Sequence, residues 1–220
     1  PNIIRFGGMC LAFLGMLSLI GVWRALDAFV SSATHPARVP ITHSPADVGM
    51  ANYQDISFVT VDGVKLRRWY IPSQNGAAVI LGHGYAGNRE QNLIDTQILA
   101  RHGCGVLLFD WRAHGESDGD MVTFGLNEVR DLDAAVDTVA ARPDVDRERI
   151  GVIGFSMGSA TAALSAPRDA RIKAVVIEGA YAVFGDTARS RFGGLPLAGP
   201  MTTWWAVSYT HLTLPTKRIV

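Results

Sequence analysis

Ser156 is the residue of this chain best placed to attack a carbonyl, because of what surrounds it. It stands in Gly154-Phe155-Ser156-Met157-Gly158. The β-branched run Ile150-Gly151-Val152-Ile153 precedes it, and the small, helix-tolerant run Ser159-Ala160-Thr161-Ala162-Ala163-Leu164 follows. A serine at a strand-to-helix junction, with glycine two before and two after, is lifted clear of a sheet on a tight turn. That turn holds the serine in a strained backbone conformation, and a side chain at 154 or 158 would collide with the neighbouring strand or helix. The same five residues also describe an ordinary glycine-rich turn. Two phosphate-binding readings fail. Ser156 stands where a dinucleotide fingerprint requires its second glycine, and no Gly-Lys-Ser/Thr follows to make a phosphate loop.

A second motif lies upstream. The buried-strand run Ala77 to Leu81 delivers Gly82-His83-Gly84-Tyr85-Ala86-Gly87-Asn88. A glycine-rich turn after a strand can aim backbone N–H groups at a ligand. Acyl-transfer chemistry needs two such donors for its oxyanion, one after the nucleophile and one from an earlier strand-helix loop. The Met157 N–H is the first candidate and the Tyr85 N–H the second. His83 is expected to brace the turn by hydrogen bonding, in company with Gly84, Gly154 and Gly158 as supports of the two loops; a general-base role is its alternative.

Between them, the strand run Gly105 to Phe109 ends in Asp110-Trp111-Arg112-Ala113-His114-Gly115-Glu116-Ser117. With these three motifs in this order, from about Tyr53 to about Asp186, the chain resembles the α/β-hydrolase superfamily. It is most similar to bacterial serine hydrolases, including membrane-anchored ABHD-type relatives. The resemblance implies that Asp110, Arg112 and His114 hold the mouth of the site and do no catalysis. It implies the chain order serine, then acid, then histidine. It implies no cofactor.

A serine hydrolase also needs a base and a carboxylate that orients it. The only histidine after Ser156 is His211, in a stretch from Val207 to Thr216 that resembles a translated sequencing adaptor. Residues 207–220 are therefore expected to be foreign to the protein, and the acid and base to lie beyond this chain. As given, the chain is expected to be inactive. Glu178, at a strand end, and Asp186, in a loop, are weak candidates for the acid. The expected reaction is hydrolysis of an ester or related acyl bond in a small acyl-bearing substrate. A peptidase or acyltransferase of the same fold, or a non-catalytic binding protein, remain as alternatives.

The positioning elements read as alternating strands and helices. Strands are expected at about Asp55 to Val61 and Val64 to Ile71, joined by a type I′ turn at Asp62-Gly63. Helices are expected at Leu93 to Arg101 and over Leu126 to Val139, whose acidic residues Glu128, Asp131, Asp133 and Asp137 read as a solvated face. A last strand spans Arg171 to Glu178. Alternation of this kind predicts a mostly parallel sheet with helices on both faces: an α/β-hydrolase fold, incomplete at its C-terminus.

Equal numbers of Lys plus Arg and Asp plus Glu, 20 of each, leave no basic surface, so no nucleic-acid partner is expected. Two cysteines cannot make a metal site or a disulfide framework. Phe6 to Trp23 carries no charge and is bounded by Arg5 and Arg24, enough for a membrane-spanning helix. An N-terminal anchor in a bacterial inner membrane is the expectation, with a cleaved signal peptide as its rival. The domain plan is thus residues 1–30 as anchor or signal, 31–52 as a linker without periodicity, 53–206 as a partial hydrolase domain, and 207–220 as the tail.

Overall fold

A computed structural model describes residues 2–180, with side chains from Phe13 onward. Asp186, His211, the 207–220 tail and the end of the expected hydrolase domain lie outside the described residues. The chain divides into two units, residues 1–35 and the rest.

The first unit is a single helix, α1 (Asn2–Thr34). Its segment Phe13–Thr34 is 22 residues long with mean hydropathy 1.6. At about 1.5 Å per residue this matches a hydrocarbon core of about 30 Å. Large apolar side chains such as Leu14, Leu19 and Trp23 are exposed along it. The helix is long and apolar enough to cross a membrane, and a signal sequence has the same properties.

The second unit is built on six strands: β1 (Gln54–Val59), β2 (Lys65–Ile71), β3 (Ala78–Gly82), β4 (Gly105–Phe109), β5 (Ile150–Phe155) and β6 (Ile172–Glu178). Their order is β1-β2-β4-β3-β5-β6. β1 and β2 run antiparallel to their neighbours, whereas β3, β4, β5 and β6 are parallel. Helices α2 (Leu93–Arg101), α3 (Glu128–Ala140) and α4 (Met157–Ser165) make the crossovers. The chain leaves β3 for β4 on one side and later returns to place β5 on the other. The order therefore reverses between β3 and β5, and open α/β sheets bind their ligands outside the C-terminal ends of the strands at such a reversal.

Alternate side chains of each strand feed two cores. Leu66, Tyr70, Ile80, Leu107, Phe109 and Val152 pack with Leu132, Val136 and Val139 of α3 and Met157 and Ala162 of α4. Trp69, Leu81, Val106 and Leu108 face the other way and pack with Leu93, which opens α2. Each buried Val, Leu, Ile, Phe or Met among them contributes roughly 1.5–3 kcal/mol by leaving water, so the central strands are fixed on both faces.

Three expectations are corrected. The β1–β2 connection is not a type I′ turn, which needs two left-handed residues. Only Gly63 (φ 84) is left-handed, and Thr60 to Val64 close a longer loop in which Gly63 N–H donates to Thr60 O at 2.9 Å. The acidic residues of α3 do not form one solvated face. Glu128 and Asp131 are both 0 % exposed, and Glu128 accepts from the Thr123 and Gly125 N–H groups at 2.9 and 2.6 Å. The stretch expected to be a linker is a strap from Pro36 to Tyr53. Its Ile41, Val48, Met50 and Tyr53 pack on the Trp69–Leu93 core, and Gln97 Nε2 donates to Val48 O at 2.8 Å.

Candidate active site

The glycines flanking Ser156 are required by close approach. A methyl group on Gly154 would lie 2.4 Å from the Gly158 carbonyl carbon, and one on Gly158 would lie 2.3 Å from the Gly82 carbonyl oxygen. Helix α4 can thus start directly against the ends of β5 and β3 only because both positions lack side chains. Between them Ser156 adopts φ 50 and ψ −107, and its N–H donates to Glu178 O at 2.8 Å. Ser159, fully buried, donates to the Gly154 carbonyl and accepts the Glu178 N–H at 2.9 Å, tying the end of β6 to the turn. Met157 opens α4, so its N–H has no acceptor within the helix.

The turn after β3 lies against this elbow. A methyl group on Gly84 would stand 2.9 Å from the Phe155 ring and 3.6 Å from Ser156 Cβ. Among the turn's N–H groups, Gly84 N–H donates to Gln91 Oε1 at 3.0 Å, Ala86 N–H to His114 Nε2 at 3.1 Å and Gly87 N–H to Gly84 O at 3.2 Å. The structure therefore brings Ser156, Met157, Gly84 and Tyr85 to one place at the sheet's C-terminal edge. The non-glycine residues with left-handed φ among those described (Ala86, Ala113, Phe124 and Ser156) all belong to the loops of this edge or pack on them. Such strain gathers where surrounding structure holds a working geometry.

His83 is fully buried. Its Nε2 accepts the Trp111 N–H at 3.2 Å, which puts the ring proton on Nδ1, where it is donated to Gly84 O at 2.7 Å. Burial, reinforced by the nearby His114, pulls its pKa down to about 3. His114 is 1 % exposed and equally committed: Nδ1 donates to Arg112 O at 2.9 Å while Nε2 accepts from Ala86. Burial lowers its pKa as well. Neither ring has a nitrogen left to take a proton from Ser156.

The loop after β4 is held by buried ion pairs. The Arg89 guanidinium and N–H both bind Asp110, the N–H at 2.7 Å, and the guanidinium lies over the Trp69 ring at 4.3 Å. Arg112 donates to Asp131 from its backbone at 3.0 Å and from Nη2 at 2.7 Å, and to Asp62 from Nη1 at 2.9 Å. Asp110, Arg112 and His114 thus do structural work, as the resemblance implied. Sequence reading missed Asp62 and Asp131, whose partner Arg112 lies 50 and 19 residues away in the chain. Among the described residues no group of three or more His, Cys, Asp or Glu side chains is placed to hold a metal ion. A cleft of about 360 Å³ between Val48–Asn52 of the strap and Ile71, Gln97 and Arg101 lies at the opposite edge of the sheet, away from Ser156.

A family profile described as "alpha/beta hydrolase fold" matches residues 77–203. The thiohydrolase aneE of Aspergillus aculeatus is 34 % identical over 128 residues, 56 % of this chain and 40 % of that protein. The polyketide transferase ATR5 of Stachybotrys chlorohalonatus is 34 % identical over 127 residues, 56 % of this chain and 43 % of that protein. Among solved structures, the Pyrococcus furiosus esterase Pf2001 superposes with a TM-score of 0.67 at 31 % identity, covering 83 % of this chain and 71 % of that one. The chain spans about half the length, or less, of the curated relatives it matches.

Proposed function

This chain belongs to the α/β-hydrolase fold family, and we propose that it is a serine hydrolase acting on ester or related acyl bonds through Ser156. The observation that carries the reading is the left-handed Ser156 at the strand-order reversal, packed on the turn after β3. The esterase and thiohydrolase names among its relatives support the same chemistry.

In this reading Ser156 Oγ bonds to the acyl carbon while the carbonyl π pair moves onto oxygen. The Tyr85 and Met157 N–H groups hold that oxyanion. Collapse expels the alcohol or thiol, and water then releases the acid from the acyl-serine. The Oγ proton must pass to a base oriented by a carboxylate. His83 and His114 are committed elsewhere, and Asp110 and Asp131 are tied to arginines. Glu178 is tied to the elbow through its backbone, whose carbonyl accepts the Ser156 N–H and whose N–H donates to Ser159, and this reading assigns both the base and the acid to groups outside the described residues. His83, Gly84, Gly154 and Gly158 support the two loops. The partner is a small acyl-bearing substrate, and α1 anchors the domain in a bacterial inner membrane.

Acyl transfer to an acceptor other than water is the second reading, favoured by the polyketide transferase among the relatives. It shares the acyl-serine and differs only in what removes the acyl group. The test uses the longest natural form of the protein containing this chain, assayed on short acyl esters. Turnover that disappears in Ser156→Ala supports the proposal, and product analysis separates free acid from transferred acyl. Turnover that survives Ser156→Ala refutes it.

A further inference from the structure

Arg38 stands four residues beyond the end of α1, in a strap segment with no strand or helix around it. Its guanidinium reaches the loop after β4. Nη1 donates to the His114 and Gly115 carbonyls at 3.2 and 3.0 Å and also faces the Ser117 carbonyl, while Nη2 donates to Gly119 O at 2.7 Å. A planar fork with five donors suits a loop that turns several carbonyls toward one point. The next strap residues are pinned to the other loop: Asn88 Nδ2 donates to Val39 O at 3.3 Å and to Pro40 O at 3.2 Å. Residues 38–40 thus bridge the loop after β4 and the turn after β3.

His114 carries the connection inward. Arg38 grips its carbonyl, and its ring Nε2 accepts the Ala86 N–H at 3.1 Å. Ala86 has φ 56, a conformation that costs a non-glycine residue about 1–2 kcal/mol and needs outside support. The residue before it is Tyr85, whose ring meets His114 edge-on at 6.0 Å between centroids.

We infer that Arg38 and His114 are positioning residues for the oxyanion turn: through them the strap fixes the backbone of Tyr85 and Ala86 against Ser156. The inference rests on the proposed role of Ser156 and that turn. It makes the segment following α1 a working part of the site.

The test uses the longest natural form of the protein, with Arg38→Met, Arg38→Lys, His114→Leu and His114→Gln. Glutamine can still accept from Ala86 and donate to Arg112, whereas leucine can do neither. Two readouts are taken: hydrogen exchange of the Ala86 amide, and kcat and KM on a short p-nitrophenyl ester. Removing one oxyanion donor typically costs about 10²–10³-fold. A displaced donor should cost about 10–100-fold in kcat, with KM within about twofold. Arg38→Met and His114→Leu are expected to show that loss together with Ala86 exchange at least about tenfold faster, and His114→Gln to recover most of both. Unchanged Ala86 exchange in Arg38→Met overturns the inference, as does a His114→Gln variant no better than His114→Leu. Should Arg38→Met fail to fold, Arg38→Lys decides on the same two readouts, since it keeps the charge but cannot fork across the carbonyls. If the unmodified protein shows no Ser156-dependent turnover, the functional reading fails, and the exchange measurement alone decides the relay.

Discussion

Replacing Gly158 with alanine tests the packing that brings the serine turn and the turn after β3 together. The new methyl group would sit 2.3 Å from the Gly82 carbonyl oxygen, 2.8 Å from its carbon and 3.0 Å from the His83 carbonyl oxygen. A carbon needs about 3.3 Å from a carbonyl oxygen, so the start of α4 must withdraw from β3 by roughly 1 Å. All three obstacles are backbone atoms of a central strand and its turn, so no side-chain rotation relieves them. Overpacking of this kind costs about 1–3 kcal/mol, and each kcal/mol lowers the melting temperature of a domain this size by about 2–4 °C. The expected fall is thus roughly 2–12 °C by differential scanning calorimetry. Displacing a reacting group by about 1 Å can cost about 10²-fold in rate, so kcat on a short acyl ester should drop by a comparable factor. Gly151→Ala, four residues before the elbow phenylalanine, is the control. Its methyl group meets nothing closer than 3.5 Å and should change stability by less than about 0.5 kcal/mol. A Gly158→Ala protein that melts with the parent and retains full activity would refute the close approach of elbow and turn.

Further outcomes follow from the buried polar groups. Asp131→Ala leaves Arg112 buried with Asp62 alone and should cost about 3–5 kcal/mol in a urea titration, whereas Asp137→Ala, removing an exposed pair with Arg171, should stay within about 1 kcal/mol. His83, with its pKa near 3, stays neutral in the fold while the unfolded chain takes up a proton below about pH 6.5. Its contribution to stability is therefore full above pH 6.5 and is lost at up to about 1.4 kcal/mol per pH unit until pH 3, or about 2 kcal/mol by pH 5. Ring shifts of His83 that stay constant from pH 8 to 4 in NMR would confirm this, and a titration midpoint near 6 would refute it. Asp62, held well below the usual carboxylate range by the Arg112 guanidinium, stabilises the fold above about pH 3.8 and loses that contribution as the pH falls further. Asp62→Asn should therefore flatten the acid limb of the stability curve below pH 4.

Features written in a few adjacent residues were legible before any coordinates. Helix α2 and strand β4 match their expected ranges residue for residue, because each run is bounded by local signals: Asn92 and His102 flank α2, and Gly105 opens and Asp110 follows β4. The elbow glycines were legible for the same reason, since a missing side chain signals close approach. What escaped was set by partners far along the chain. Glu128 and Asp131 read as solvent-facing because nothing in their own helix reveals the N–H groups of Thr123 and Gly125, or Arg112, that let them be buried. Arg38 read as part of a tether because the carbonyls it binds lie 76 to 81 residues downstream. The hairpin at Asp62-Gly63 was misread because the sequence pair is shared by two loop types, and the Thr60 hydroxyl, donating to Asp62 Oδ1 at 2.6 Å, favours the longer one.

The left-handed backbone at Ala86, Ala113, Phe124 and Ser156 bears on how this protein would respond to selection for heat resistance. At about 1–2 kcal/mol each, these positions together hold an amount comparable with a sizeable part of the roughly 5–15 kcal/mol by which a domain is stable at all. Glycine at Ala86, Ala113 or Phe124 would remove the steric conflict without touching the nucleophile, so a thermal screen of random variants should enrich such changes early. The same changes would loosen the loops around Ser156. Laboratory evolution toward robustness and toward turnover would then pull on the same few codons in opposite directions.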